Sequence, residues 1–235
     1  IALGGTTDTV QISGTYTMPT TDGTTGQVLT TDGSGAVTFQ DAGGGGTALE
    51  LYAENPVSAV SPSATGTNAV AIGYNANAGG SSSFVAGLSA TDNSNQDAVV
   101  IGRFASASAS ETVAIGEQSD ANGVRSVALG YLADANGSRS IAIGEDPTAF
   151  SQYSIAIGSG VQANSDYSTA IGYGSGGSKP AKSQGAGAMA LGGSYASGTD
   201  SFAAAIANNT SSYGATGNNS VAIGFGVTGS RSTSI

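Results

Sequence analysis

A hydrophobic tripeptide followed by a small residue, usually glycine, recurs through residues 70–224 of this 235-residue chain. Eleven copies are present, and successive copies are mostly 14 residues apart. Two are degenerate, at Phe84–Gly87 and Ala204–Ala207. The other nine end at Gly73, Gly102, Gly116, Gly130, Gly144, Gly158, Gly172, Gly192 and Gly224. A fixed period of this kind is typical of a solenoid, in which each repeat packs only against its neighbours.

Each 14-residue unit predicts two short strands separated by turns. With the glycine as position six, positions three and five are mostly β-branched or Leu, and position four is mostly Ala. This alternation favours a strand, and the glycine permits the positive φ of a turn. Small residues at positions nine and eleven predict a second, weaker strand. The predicted fold is all-β, a parallel β-solenoid whose 11 coils stack about 4.8 Å apart into a rod of roughly 50 Å.

The same alternation predicts an oligomer. We expect positions three and five to point into the coil, together with the small residues at positions nine and eleven. The alanines at position four, such as Ala71, Ala114 and Ala156, then point outward. Because a strand that is apolar on both faces is buried on both faces, the alanine face is expected to pack against further copies of the chain. On this interpretation Ile143→Asp places an unpaired charge inside the coil.

The composition excludes several kinds of site. The chain contains no Cys and no His, which removes thiolate nucleophiles, disulfides, histidine bases and most transition-metal sites. A net charge of −10 opposes binding to nucleic acid. The apolar runs are only a few residues long, whereas a spanning helix needs about 20. We predict no cofactor, no metal site, no nucleic-acid partner and no membrane insertion.

The repeated unit N/S-x-V-A-I-G-x-x-A-x-A resembles the head repeat of trimeric autotransporter adhesins, the YadA-like head, over about residues 68–235. The resemblance implies a left-handed parallel β-roll, a homotrimer whose chains are intertwined or side by side, and a surface-exposed, adhesive rod.

The sequence of residues 16–39, YTMPTTDGTTGQVLTTDGSGAVTF, resembles a linking module of bacteriophage tail fibres. It contains short β runs at Gln27–Thr30 and Ala36–Gln40, joined by the turn at residues 32–35. The predicted domains are a tail-fibre-like β module at 1–42, a Gly-rich hinge and cap at 43–67, and the β-roll at 68–235. Within the hinge and cap we expect a strand at Ala48–Ala53 and an irregular cap at Pro56–Gly66.

Together the two resemblances imply a non-enzymatic segment of a phage tail fibre, located in the virion and extracellular. The implied partners are further copies of the chain in a homotrimer, other tail or baseplate proteins, and a host cell-surface glycan or protein. The alternative is the head of a bacterial trimeric autotransporter adhesin at the bacterial cell surface. A glycan depolymerase tailspike and an ice-binding solenoid are weaker alternatives, the latter because the Thr residues do not align at one position of the unit.

Stacking of the coils predicts two rows of interacting side chains. Arg125, Arg139, Tyr153 and Tyr167 share position one, where they form either a stripe for sugar rings or, as we favour, a structural ladder. At position seven, Arg103 and Glu117 are expected to form a surface ion pair.

Three further features are candidate sites. Asp120 and Asp134 share position ten at about 5 Å, close to the carboxylate spacing of retaining glycosidases, but we expect both to be solvated beside turns. Neither they nor the repeat pattern predicts calcium binding. Two longer copies carry insertions, and insertions in solenoids map to loops on one face. The candidate receptor-contact residues are Lys179, Lys182, Tyr213, Tyr153 and Tyr167.

Overall fold

The structure, a computed structural model, describes residues 11–12, 16–19, 23–41, 60–173, 180–204, 214–224 and 233–234. The chain divides into two compact units, Ile1–Glu50 and Leu51–Ile235. Within the described ranges the regular elements are all strands, and no helix occurs. The all-β prediction is confirmed. The strand predicted at Ala48–Ala53 lies outside the described residues. The irregular cap predicted at Pro56–Gly66 is wrong at its end, because Ser63–Ala64 forms a strand that pairs in parallel with Asn77–Ala78.

The first unit contains two antiparallel strand pairs. The strands are β1 (Gln11–Ile12), β2 (Tyr16–Thr17), β3 (Gln27–Thr31) and β4 (Val37–Asp41), paired β1 with β2 and β3 with β4. Asp32 begins the turn between β3 and β4, and its Oδ1 accepts hydrogen bonds from the N–H of Ser34 (2.7 Å) and Ala36 (3.1 Å). These bonds favour the carboxylate, so they lower the pKa of Asp32. The predicted hairpin is confirmed.

The second unit contains short strands that largely alternate between two parallel sheets. In chain order they are β5 (Ser63–Ala64), β6 (Val70–Ile72), β7 (Asn77–Ala78), β8 (Phe84–Ala86), β9 (Val99–Ile101), β10 (Ser106–Ala107), β11 (Val113–Ile115), β12 (Asp120–Ala121), β13 (Val127–Leu129), β14 (Asp134–Ala135), β15 (Ile141–Ile143), β16 (Thr148–Ala149), β17 (Ile155–Ser159), β18 (Gln162–Ala163), β19 (Thr169–Tyr173), β20 (Lys182–Ser183), β21 (Met189–Leu191), β22 (Tyr195–Ala196), β23 (Phe202–Ala204), β24 (Val221–Ile223) and β25 (Thr233–Ser234).

One sheet, here called the broad sheet, contains twelve described strands in the order β6, β8, β9, β11, β13, β15, β17, β19, β21, β23, β24 and β25. The other, the narrow sheet, contains β10, β12, β14, β16, β18, β20 and β22, and single bridges through Thr91 connect it to the β5–β7 pair. Equivalent residues of successive units face one another, as Val113, Val127 and Ile141 do. The fold is a parallel β-solenoid of about ten turns with coils of about 14 residues.

The coil interior is lined by small residues at positions two, four, nine and eleven. Ala114, Ala128 and Ala142 at position four are fully buried, whereas their neighbours Val113 and Ile115 lie on the outer face of the broad sheet and are only half-buried. The predicted orientation of this strand is therefore wrong. The close spacing of the sheets favours small side chains, so alanine, or valine at Val85 and Val100, fills position four while the aliphatic residues of positions three and five point outward.

This correction also applies to Ile143, which was expected inside the coil. It belongs to the outward row of β15, while Ala142 beside it is buried. Ile143→Asp therefore places its charge on the outer face of the broad sheet. The substitution tests the contacts of that face and not the packing inside the coil.

The degenerate copy near residue 204 has a different register from the predicted one. Ala203 pairs with Ala190 and Ala222, so Ala203 takes position four and Phe202 takes position three. The expected copy, Ala204–Ala207, starts two residues too late. The buried Ser201 and Ala203 occupy the interior positions two and four, and this Ser-x-Ala pair sets the register.

Candidate functional site

Side chains at position one of successive coils form a row along one edge of the solenoid. We call this row the position-one ladder; its members are Glu111, Arg125, Arg139, Tyr153 and Tyr167. The backbone holds them in parallel, because the N–H of each residue donates to a carbonyl of the preceding coil, as Tyr153 does to Ser138 (2.9 Å). Their φ values lie between 57° and 61°, a left-handed conformation that side chains of this size seldom adopt.

The ladder begins with an ion pair. The Nε and Nη2 of Arg125 donate to the two carboxylate oxygens of Glu111 at 2.8 and 3.0 Å. The hydrogen bond from Arg125 lowers the pKa of Glu111, and the same bond raises the pKa of Arg125. Both side chains are exposed, so the ion pair contributes little to the stability of the fold. Its main effect is to fix the orientation of the Arg125 side chain.

The ladder continues through stacked planar groups. The Arg139 guanidinium lies 5.3 Å from the centroid of the Tyr153 ring, and its Nη1 donates to the Tyr153 hydroxyl at 2.8 Å. The Tyr153 and Tyr167 rings stack at 5.0 Å with 8° between their planes. The predicted stacking of these three residues is confirmed. Each such contact contributes about 0.5–1.5 kcal/mol.

The Asp120–Asp134 pair lies on the outer side of the narrow sheet. The two residues pair directly between β12 and β14. They were expected to be solvated beside turns, but they are half-buried within strands. Burial raises the pKa of Asp120, and burial together with the charges of Asp120 and Asp146 raises that of Asp134. The two carboxyls lie side by side on the outer side of the narrow sheet and remain partly exposed, rather than in an apolar pocket that holds one of them as an acid.

The predicted ion pair at position seven is confirmed. An Arg103 guanidinium nitrogen donates to the Glu117 carboxylate one coil away. The Arg103 guanidinium also lies 5.2 Å from the centroid of the Phe104 ring. Both charged side chains remain substantially exposed, so this contact is an ordinary surface pair.

Comparison with known families identifies the repeats. The family model of the YadA head domain repeat matches residues 64–90, 94–119, 121–146, 151–175 and 214–226. The chain carries YadA head domain repeats. The match indicates an adhesin-type domain in this chain. YadA-like head domains in general are surface-exposed, form homotrimers and are typically non-enzymatic. Among curated proteins, none matches this sequence.

One feature of the solenoid was not predicted from the sequence. Asp92 falls between two matched segments, in a coil of 15 residues, and its side chain is fully buried at position eleven. Its carboxylate accepts hydrogen bonds from the N–H of Gly79 (2.9 Å), Gly80 (2.8 Å) and Ser94 (2.9 Å). The sequence did contain a signal for this residue. Asp92 is an acidic residue at a position that otherwise holds Ala or Ser, and its unit is one residue longer than the usual 14.

The candidate receptor-contact residues are only partly brought together. Tyr153 and Tyr167 belong to the position-one ladder, whereas Lys182 lies in β20 of the narrow sheet between Gln162 and Tyr195. Lys179 and Tyr213 lie outside the described residues. Residues 176–213, which contain both insertions, are also outside the matched head repeats.

The described residues carry neither a cluster of metal ligands nor a helix that could span a membrane. They contain no group of three or more acidic, Cys or His side chains placed to hold a metal ion. None of their elements is a helix with the length and hydropathy needed to cross a bilayer.

Proposed function

We propose that the chain is a structural and adhesive segment of a bacteriophage tail fibre, which projects from the virion and attaches to the host surface. The head repeats support the adhesive part of this proposal. The β3–β4 hairpin lies in the region that resembles a tail-fibre linking module, and this supports the phage assignment. The proposed domains are the linking module at 1–42, the hinge and cap at 43–67, and the β-roll at 68–235.

We propose that three copies assemble through the outer face of the broad sheet, as left-handed β-rolls around one axis. Positions three and five place a double row of aliphatic residues on this face, which we call the aliphatic face. Several members are strongly exposed in the single chain, among them Ile101, Ile171 and Ile223, each at 38%. An apolar surface that runs along a rod of roughly 50 Å is larger than monomers normally expose, and it supports burial against other copies.

Attachment then rests on repeated weak contacts. The proposed contact residues are Tyr153, Tyr167, Lys179, Lys182 and Tyr213, and the proposed receptor is a host cell-surface glycan or protein. A trimer presents three copies of each contact, and this multivalency raises the overall avidity without any single strong site. Other tail or baseplate proteins are the proposed partners at the end that faces the virion.

Immunogold electron microscopy tests the phage assignment. Antibodies raised against this chain should label the tails of virions from the source culture. The alternative function is the head of a bacterial trimeric autotransporter adhesin, which the same head repeats favour. Label confined to the bacterial envelope, with none on virions, would contradict the phage proposal and support this alternative.

A glycan depolymerase is the remaining enzymatic possibility, and it depends on Asp120 and Asp134. We propose that the chain does not act in this way, since the two carboxyls are partly exposed strand partners on the outer side of the narrow sheet, with no enclosing apolar pocket among the described residues around them. Host polysaccharide incubated with the chain should release no reducing ends. Release that is abolished by Asp120→Asn or Asp134→Asn would contradict this proposal.

A further inference from the structure

Tyr167 is the last side chain of the position-one ladder. Tyr153 is covered by Arg139 on one side and by Tyr167 on the other, and it is 36% exposed. Tyr167 stacks on Tyr153 through one ring face and is 62% exposed. The difference in exposure indicates that the second face of the Tyr167 ring is open to solvent.

The ladder ends because the next rung has no side chain. Position one of the following coil is Gly187, which has a φ of +66°. The backbone itself continues, because the N–H of Gly187 donates to the Asp166 carbonyl and that of Asp200 donates to the Ala186 carbonyl, both at 2.9 Å. The rung above the Tyr167 ring is therefore missing only its side chain, and this leaves a notch about one rung, or 4.8 Å, in height.

Asp200 supplies a polar group at the base of this notch. It holds position one in the coil after Gly187, and its side chain leans back toward the vacant rung. A Cβ atom added to Gly187 would lie closer than 3.0 Å to Asp200 Oδ1. The notch therefore combines an open aromatic face, a bare backbone and a carboxylate, all on the edge of the rod.

We propose that the notch formed by Tyr167, Gly187 and Asp200 binds one neutral hexopyranose ring of a host-surface polysaccharide. This inference rests on the proposed attachment function and names the ligand class for one of its contact sites. The C–H groups on one face of a pyranose carry slight positive charge and pack against the negative face of the Tyr167 ring. Its hydroxyls donate to the Asp200 carboxylate in charge-assisted hydrogen bonds.

The negative charge of the notch favours a neutral sugar over an acidic sugar or a phosphate-bearing nucleotide. The chain carries a net charge of −10, and Asp200 places a further carboxylate directly in the notch. A carboxylated sugar or a phosphate would be repelled by this arrangement, whereas a hydroxyl-rich neutral ring is not. Since Tyr153 is covered on both faces, each chain offers one such aromatic surface in the ladder.

Saturation-transfer NMR and calorimetric titration of the full chain test the proposal, with maltohexaose, cellohexaose and mannohexaose as probes. At least one probe should bind with a dissociation constant of about 1 mM. Tyr167→Ala should weaken that binding about tenfold or more, while Tyr167→Phe, which keeps the ring, should retain it. Tyr131→Ala is the matched control, because Tyr131 is an exposed tyrosine (46%) outside the ladder.

Three outcomes would overturn the proposal: no probe binds the unaltered chain, Tyr167→Ala binds as well as the unaltered chain, or Tyr131→Ala weakens binding equally. Circular dichroism and the mass of the assembly establish that each variant is folded. Labelled virion tails together with no saccharide binding would reject the notch and leave the tail-fibre proposal standing. Saccharide binding together with label only on the bacterial envelope would support the notch and reject the tail-fibre proposal.

Discussion

At the scale of single residues, position six places a glycine backbone against the glycine of the next coil. Gly144 has a φ of +131°, and a Cβ atom there would lie closer than 3.0 Å to the Gly158 carbonyl oxygen. Gly144→Ala should therefore lower the free energy of unfolding by about 3 kcal/mol or more. Urea denaturation at fixed protein concentration measures this change.

Gly192 provides the matched control for that substitution. It holds the same position and has a φ of +67°, but an added Cβ would meet no atom of the described residues within 4 Å. Gly192→Ala should cost only about 1–2 kcal/mol, the intrinsic cost of a left-handed residue. Equal losses for Gly144→Ala and Gly192→Ala would show that close stacking of the glycines is not what the fold requires.

The buried serines at position two predict a second pair of contrasting variants. The hydroxyl of Ser154 donates to the Ser151 carbonyl at 2.6 Å, whereas within the described coils the buried hydroxyl of Ser140 has no hydrogen-bond partner. Ser154→Ala should lower the free energy of unfolding by about 1 kcal/mol, and Ser140→Ala should leave it unchanged or raise it. Thermal unfolding of the two variants, measured side by side, checks whether each substitution lowers or raises the free energy of unfolding.

The recurrent glycines could be predicted from the sequence, whereas the backbone conformation of the ladder residues and the burial of Asp92 could not. A glycine recurring at one position of a repeat has a direct physical meaning, since glycine alone adopts positive φ without steric cost. The left-handed Arg139 and Tyr153 have no such signal, because their backbone conformation is imposed by the stacked coils. Asp92 was missed because an isolated acidic residue usually lies on the surface.

At the scale of elements, the strand itself was predictable from Val-Ala-Ile, but its orientation was not. Alternation shows that one face differs from the other; it does not show which face points inward when both are apolar. Side-chain volume decides here, since Ser140 and Ala142 fit between the two sheets and Ile141 does not. The Ser-x-Ala pair at positions two and four carried this information, and it also gives the correct register at Ser201.

The acidic pair of the narrow sheet predicts a pH-dependent stability. Burial and the neighbouring charges of Asp120 and Asp146 raise the pKa of Asp134 above its ordinary value of 3.8. The folded state therefore holds the proton more tightly than the unfolded state, and stability is lost as the pH rises through the folded-state pKa.

Asp134→Asn removes this charge and should raise the free energy of unfolding at pH 7. The gain should be about 0.5 kcal/mol, because the side chain is half exposed and water screens the repulsion. The gain should disappear at about pH 3, where the carboxyl is protonated in both states. Thermal melts at the two pH values make the comparison, and a gain of the same size at both would contradict the assigned cause.

At the scale of the whole molecule, the second unit is a stack in which each coil contacts its neighbours. Its interior holds mostly alanine and serine, with a few valines such as Val161, and the isoleucines of positions three and five lie on the aliphatic face, outside the coil. The period alone predicted this stack. The period does not predict what packs against this face, because the proposed contacts between copies lie outside the single chain.

If the aliphatic face joins three copies, a charge placed on it should prevent assembly. The unaltered protein should sediment with three times the 22.5 kDa mass of one chain. Ile143→Asp should give a smaller particle, since an aspartate on this face leaves a charge unpaired in an apolar interface. Gln162→Asp is the control, because it places the same charge on the narrow sheet beside Lys182. Sedimentation equilibrium measures the mass of both variants, and circular dichroism checks that they are folded. An Ile143→Asp particle of full mass, or an equal loss of assembly in both variants, would rule out the aliphatic face as the interface.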